Sequence, residues 1–287
     1  MSHDEPQVPW PKTETSNALP RRVGAVIVNW NTRALLARTL FGLTRVLETG
    51  PLHEIVVVDN ASDDGSVELA HALADAGVIR LITNSEQRYH GPGLTQGVNL
   101  LSTCEERDLV DLIWALDSDV FVLRPDVLRV ATATMTEMGA VYAGDPEGYE
   151  PGPPQLTTRQ VLMHSTLFDP RVVWRPRYRP FLEHGDPSGH MQSDLRAEEH
   201  RILAFPFCSD GYLLHLGRST LAEVAARAEA SNRYYDWAST HFVPHYGLHP
   251  RGAELLAEFE ERYRVSVPDD GTDTIVEALV VTDPASC

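Results

Sequence analysis

After a polar, proline-containing opening, the chain settles into short apolar runs that each break off at a polar residue. Residues 1–20 read as a flexible N-terminal arm. Val23-Gly24-Ala25-Val26-Ile27-Val28 is apolar and β-branched without alternation, the pattern of a strand buried on both faces, and it ends in Asn29-Trp30-Asn31. Over residues 33–47, Leu35, Leu36, Leu40, Leu43 and Val46 recur at helical spacing. Residues 54–58 repeat the strand pattern and stop at Asp59, in the loop Asp59-Asn60-Ala61-Ser62-Asp63-Asp64-Gly65-Ser66. Ser66 is placed there to cap a helix running through Leu73. Residues 78–82 give a third strand, followed by Asn84, a glycine- and proline-bearing loop and a helix resuming near Leu94. A fourth strand, residues 111–116, closes on Asp117.

Strand and helix in alternation predict the α/β class, with a mainly parallel, Rossmann-like sheet flanked by helices. Ligands of such sheets bind beyond the carboxyl ends of the strands, and Asn29, Asp59, Asn84 and Asp117 all fall at those ends. The second half is less regular. Residues 145–154 and 175–189 read as long loops, 202–207 and 211–216 as short strands, and 221–230 and 253–263 as helices.

At 287 residues and 43% hydrophobic content the chain can bury a full core. The net charge of -17 argues against a general nucleic-acid binder, which gains affinity by neutralising phosphates. An anionic substrate would then need a metal or a few local arginines. No apolar run approaches the roughly 20 residues that span a bilayer, and the N-terminus is unlike a signal peptide. A cytoplasmic protein without an integral membrane segment is therefore expected, and the sequence allows a homodimer. Cys104, Cys208 and Cys287 are dispersed and form no CxxC, so their spacing suggests neither a disulfide framework nor a zinc site.

Asp117-Ser118-Asp119 sets two carboxylates at i and i+2 just past a buried strand. Hard divalent cations, Mg²⁺ or Mn²⁺, prefer oxygen ligands, and a bound cation would offset charge on a diphosphate. Aspartates at strand ends are also common as turn and capping residues, and the motif by itself is short. Asp59 can accept a hydrogen bond from a nucleotide base or ribose, or form an Asx turn. The loop of residues 84–99 contributes Asn84, Arg88, His90, Gly91, Gly93 and Gly97, whose glycines would let backbone approach a ligand or simply turn.

Taken in order, Asn29-Trp30-Asn31, the segment from Val57 to Ser66, Asn84 with His90-Gly91-Pro92-Gly93-Leu94-Thr95-Gln96-Gly97, and Leu116-Asp117-Ser118-Asp119-Val120 resemble a family 2 glycosyltransferase of GT-A fold. The resemblance spans about 100 residues and is closest in the first half. It implies an inverting hexosyl- or deoxyhexosyltransferase that uses a nucleoside-diphosphate sugar donor and Mn²⁺ or Mg²⁺, with a small-molecule or glycan acceptor. Residues 21–125 would be the nucleotide-sugar-binding half, and 126–287 the acceptor-binding and catalytic half of the same domain. The implied donor-site residues are Asn29, Asn31, Asp59, Asn84, Arg88, Gly93, Gly97, Asp117 and Ser118. Asp119 is the implied principal metal ligand, with Asp117 toward the ribose or sugar. His215, in His215-Leu216-Gly217-Arg218-Ser219-Thr220, resembles the family's downstream ligand, with His245 as competitor.

The family's base lies in an acidic pair before a helix, a pattern this chain departs from. Its candidates are Asp186, then Glu183, then Asp210, because acceptor activation needs a carboxylate to take the hydroxyl proton. Arg175, Arg177 and Arg179 could hold an acidic acceptor or form a solvated edge. The alternatives are a haloacid dehalogenase-type phosphatase with Asp117 as nucleophile, and a sugar nucleotidyltransferase. The first normally has its motif on an early strand with a later lysine, whereas Lys12 is the sole lysine here. The second normally has a basic glycine-rich loop after the first strand, which Asn29-Trp30-Asn31-Thr32 is not.

Overall fold

A computed structural model of the chain describes residues 21–102, 110–147, 152–175, 181–182, 188–217 and 251–280. The first half follows the apolar pattern closely: β1 (Val23–Asn29), α1 (Arg33–Thr49), β2 (Leu52–Asp59), α2 (Ser66–Asp75), β3 (Arg80–Thr83), α3 (His90–Ser102) and β4 (Leu112–Asp117). Strands β3, β2, β1 and β4 lie side by side, all parallel. The apolar sequences of β1 and β4, and of β2 from Ile55 to Val58, follow from burial on both faces, whereas the edge strand β3 is partly exposed. Ala25, Ile27, Ile55, Val57, Trp114 and Leu116 enter one core with α1 and α2, while Val26, Val28, Val56, Val58, Ile113 and Ala115 enter a second with α3.

The chain continues through β5 (Val120–Val122), α4 (Val127–Met138), β6 (Tyr142–Pro146), β7 (Gln155–Thr157), β8 (Val161–Phe168), α5 (Pro170–Val173), α6 (Gly189–Ala197), β9 (Ile202–Ala204) and β10 (Leu213–His215). It closes with α7 (Gly252–Ser266) and α8 (Thr272–Leu279). Strands β8, β6, β9 and β7 extend the parallel sheet to the order β3-β2-β1-β4-β8-β6-β9-β7, with β8 antiparallel to β4 and β6. The second half is thus more regular than its sequence suggests. Asp145, expected in a loop, lies within β6, one residue before its end at Pro146 and next to a register shift between Gly144 and Asp145. The expected helix at 221–230 lies outside the described residues.

Two boundaries move for identifiable reasons. Helix α3 begins at His90 rather than near Leu94, because Pro92 sits in the first turn, where a missing N–H costs little. Its glycines serve packing: a Cβ on Gly97 would come within 2.3 Å of Val26 Cγ1, and one on Gly93 within 2.8 Å of Val28 Cγ1. At α2, Ser66 is the first helical residue and Gly65, at φ 89°, the cap position. The capping oxygen comes from Asp64, which accepts from Ser66 N at 3.0 Å and from Arg33 N, the first residue of α1, at 2.8 Å.

The C-terminal helices return to the first half. Phe259 of α7 stacks on Phe121 with centroids 4.7 Å apart and meets Phe41 edge-on, and Arg38 pairs with Glu260 at 2.7 Å. Among the described residues no helix is long and apolar enough to cross a membrane.

Candidate functional site

Parallel register lines up the strand ends. Asn29 faces Asp59, Asp59 faces Thr83, and Val28 faces Asp117. Three non-glycine residues in the loops beyond β1, β2 and β3 have left-handed backbone: Asn31 at φ 53°, Ala61 at 61° and Tyr89 at 64°. Such conformations cost energy and persist where surrounding contacts enforce them, often at functional edges.

The contacts here are dense. Asp59 is completely buried, and its carboxylate accepts from Asn29 Nδ2 at 2.8 Å, Ser62 N at 2.9 Å and Ser62 Oγ at 2.7 Å. Asn31 N donates to Ser62 Oγ, and Asn31 Oδ1 accepts from Asp63 N. Asn84 exchanges hydrogen bonds with Gln96 through both side-chain atoms and donates to Asn60 Oδ1. Thr32 Oγ1 donates to Asn29 Oδ1 at 2.6 Å and lies 3.0 Å from Ser118 Oγ, while Thr39 Oγ1 donates to the Ser118 carbonyl. Asn29, Asn31, Asp59, Asn84 and Ser118 therefore form the buried frame of the edge. Arg88 is instead half exposed, 3.9 Å from Glu86. Gly93 and Gly97 face β1, so close approach to a strand is what their missing Cβ atoms permit.

At the end of β4 the carboxylates gather histidines. Strand β10 pairs antiparallel with β5, His215 opposite Val120, and Leu216 N donates to the Asp119 carbonyl. This pairing sets His215 Nε2 3.3 Å from Asp119 Oδ1 and 3.7 Å from Asp117 Oδ2. The three side chains offer ligand atoms that all lie within 4.8 Å of one another, an oxygen and nitrogen donor set suited to a divalent cation. From the other side, His90 at the start of α3 brings Nε2 within 3.3 Å of Asp117 Oδ1. Burial works against charging His215, but the neighbouring Asp119, by charge and hydrogen bond, and then Asp117 outweigh it, so its pKa is raised.

Behind His215 lies a second cluster that the sequence did not suggest. The His164 ring stacks on the His215 ring, centroids 4.3 Å apart and planes 12° from parallel. His164 Nε2 is 2.9 Å from Asp145 Oδ2 and 3.5 Å from Cys208 Sγ, and Cys208 N donates to Asp145 Oδ1 at 3.0 Å. Burial, then the charge of His215, lowers the His164 pKa. Burial, then Asp145, pushes the Cys208 thiol well up.

Glu183, Asp186 and His245 lie outside the described residues. Asp210 occupies a turn, its N–H donating to the Pro206 carbonyl. Phe181 and Leu182, just before Glu183, pack directly on the start of α3: a Cβ on Gly91 would meet the Leu182 carbonyl oxygen at 1.9 Å. Beyond them, Gln192 of α6 holds both backbone polar groups of Val161 at the start of β8.

Comparison with known proteins agrees with this geometry. No protein of curated function matches the sequence. Among solved structures, a mannosyltransferase, PcManGT from Pyrobaculum calidifontis, in complex with GDP-Man and Mn²⁺, superposes with TM-score 0.51 at 14% identity, covering 93% of this chain and 78% of its own. Residues 1–349 of TarS from S. aureus, in complex with UDP-GlcNAc, superpose with TM-score 0.53 at 12% identity, covering 85% and 73%. These likenesses establish the fold as GT-A. The sequence profile of glycosyl transferase family 2 matches residues 25–186, more than half of the chain and the whole of the strand edge from Asn29 to Asp119. The chain belongs to glycosyl transferase family 2.

Proposed function

We propose that the chain is a divalent-metal-dependent, inverting glycosyltransferase that moves a sugar from a nucleoside-diphosphate donor to an acceptor hydroxyl. The observation that carries this reading is the convergence of Asp117, Asp119 and His215 at the carboxyl end of β4. Asp119 and His215, both nearly buried, would be the inner ligands, and the more exposed Asp117, shared with His90, would face the donor. A cation held there supplies positive charge against the diphosphate leaving group. The frame of Asn29, Asp59, Ser62 and Asn84 fixes the loops on which the nucleotide would rest, so the edge is organised before the donor arrives. The solved complexes of PcManGT with GDP-Man and of TarS with UDP-GlcNAc make nucleoside-diphosphate hexoses the donor class to try first.

Transfer needs a carboxylate to take the acceptor proton, and Asp186, with Glu183 behind it, is assigned that role. Support is positional. The chain enters this segment beside the start of α3, which carries His90 to Asp117, and leaves it at Ser188 before α6. A panel of nucleoside-diphosphate sugars, each added with Mn²⁺ or with chelator, tests the reading by thermal unfolding, since a ligand that binds the folded state stabilises it. At least one donor should raise Tm with Mn²⁺ and not with chelator. A panel without any Mn²⁺-dependent shift would contradict it.

A further inference from the structure

Asp145, His164 and Cys208 come from the end of β6, the middle of β8 and the turn after β9, and the fold alone brings them together. All three are buried, Asp145 at 0% exposure, and their ligand atoms lie within 4.8 Å of one another. We infer that these three side chains form a second metal site, one for a thiophilic divalent cation such as Zn²⁺, back to back with the Asp117, Asp119 and His215 cluster. This inference does not depend on the proposed transferase activity.

Three observations carry it. The first is spacing: tetrahedral zinc, with bonds of about 2.0 Å to nitrogen and 2.3 Å to sulfur, holds those two atoms roughly 3.5 Å apart. His164 Nε2 and Cys208 Sγ stand at 3.5 Å. His164 Nε2 and Asp145 Oδ2, at 2.9 Å, share a hydrogen bond that would open by about half an ångström on ligation. The second is orientation. Asp145 Oδ1 is occupied by the Cys208 backbone N–H, which leaves Oδ2 turned to the imidazole, as outer hydrogen bonds commonly orient a ligating carboxylate.

The third is charge. A buried carboxylate and a buried thiol share a site with the His164 imidazole, and His215, stacked beyond it, lies 3.3 Å from Asp119. A divalent cation on one carboxylate, one thiolate and one neutral imidazole brings the buried group to zero net charge, with the thiol proton released to solvent on binding. Thiolate also sets the metal apart from the site next door, because sulfur favours zinc while an oxygen-rich site accepts magnesium or manganese. The cation would join β6, β8 and the turn leading to β10, and so hold in place the strand that presents His215.

The test uses the full chain expressed in minimal medium with Co²⁺ replacing Zn²⁺, then purified in excess Mg²⁺ to occupy any hard-ligand site. One equivalent of retained Co²⁺ should give the near-ultraviolet thiolate-to-cobalt absorption of a sulfur ligand. The band should persist in Asp119→Ala and in the Cys104→Ala, Cys287→Ala double variant, and disappear in Cys208→Ser. Retained cobalt without a thiolate band, or no retained cobalt in the wild-type chain, would overturn the inference without any variant at Cys208. A band lost in the double variant would overturn it too. If the band appears while Asp119→Ala retains full transferase activity, the second site stands and the proposed function fails.

Discussion

The Nε2 atom of His215 lies 3.3 Å from Oδ1 of Asp119, although 96 positions separate them in the chain. Three residue pairs of a small antiparallel ladder, β5 with β10, make the contact: Val122 with Leu213, Phe121 with Leu214, and Val120 with His215. A buried apolar strand thus delivers a titratable ring to an acidic pair, and consequences for stability, pH response and binding follow.

In metal-free buffer, His215 should stabilise the fold most at low pH. Its pKa in the folded chain is raised above the ordinary value of about 6.5, so the contribution is fully present below that value and lost as pH rises through the folded one. The Tm difference between wild type and His215→Gln, measured with chelator, should be larger near about pH 6 than near about pH 8.5. A difference that grows with pH would contradict the pairing with Asp119 and Asp117.

Gly97→Ala should destabilise the chain by about 1–3 kcal/mol despite the better helix propensity of alanine. The new methyl would meet Val26 Cγ1 at 2.3 Å, on a stiff β-branched side chain in a central strand that has no room to give. Urea unfolding measures this, and an unchanged or raised midpoint would show that α3 does not pack on β1 so closely.

Asp64→Ala should cost about 1–3 kcal/mol, because one carboxylate serves the first N–H of both α1 and α2. Asp64→Asn, which keeps an accepting oxygen, should recover part of the loss in the same unfolding experiment. Equal midpoints for Asp64→Ala and wild type would rule out the shared cap.

Legibility in the sequence followed how uniform each apolar run is. Strands β1, β2 and β4 could be read because both faces are buried, so nothing interrupts the runs before Asn29, Asp59 and Asp117. Strand β8 went unread because His164, Ser165 and Thr166 break its apolar pattern; Ser165 is there to accept from the Trp114 indole at 3.0 Å. The start of α3 was hidden because Gly91, Pro92 and Gly93 look like a loop, although two of them serve tight packing. His215 was found through the pattern around it. His90 is visible in its loop but not its pairing with Asp117, and the Asp145, His164 and Cys208 cluster is not visible as a cluster, since the fold alone brings together residues so widely spaced. A lone histidine inside the apolar run of residues 161–168 was the one visible sign.

Asp119→Asn should leave the fold intact and abolish Mn²⁺-dependent nucleotide binding, because it removes the charge nearest His215 while keeping the side chain's shape. Calorimetric titration of GDP and of UDP into wild type and Asp119→Asn, each with Mn²⁺ and with chelator, measures this directly. The expected result is heat of binding only for wild type with Mn²⁺, for at least one of the two nucleotides. Equal affinity in the variant, or in wild type with chelator, would contradict a metal-diphosphate site at Asp117, Asp119 and His215.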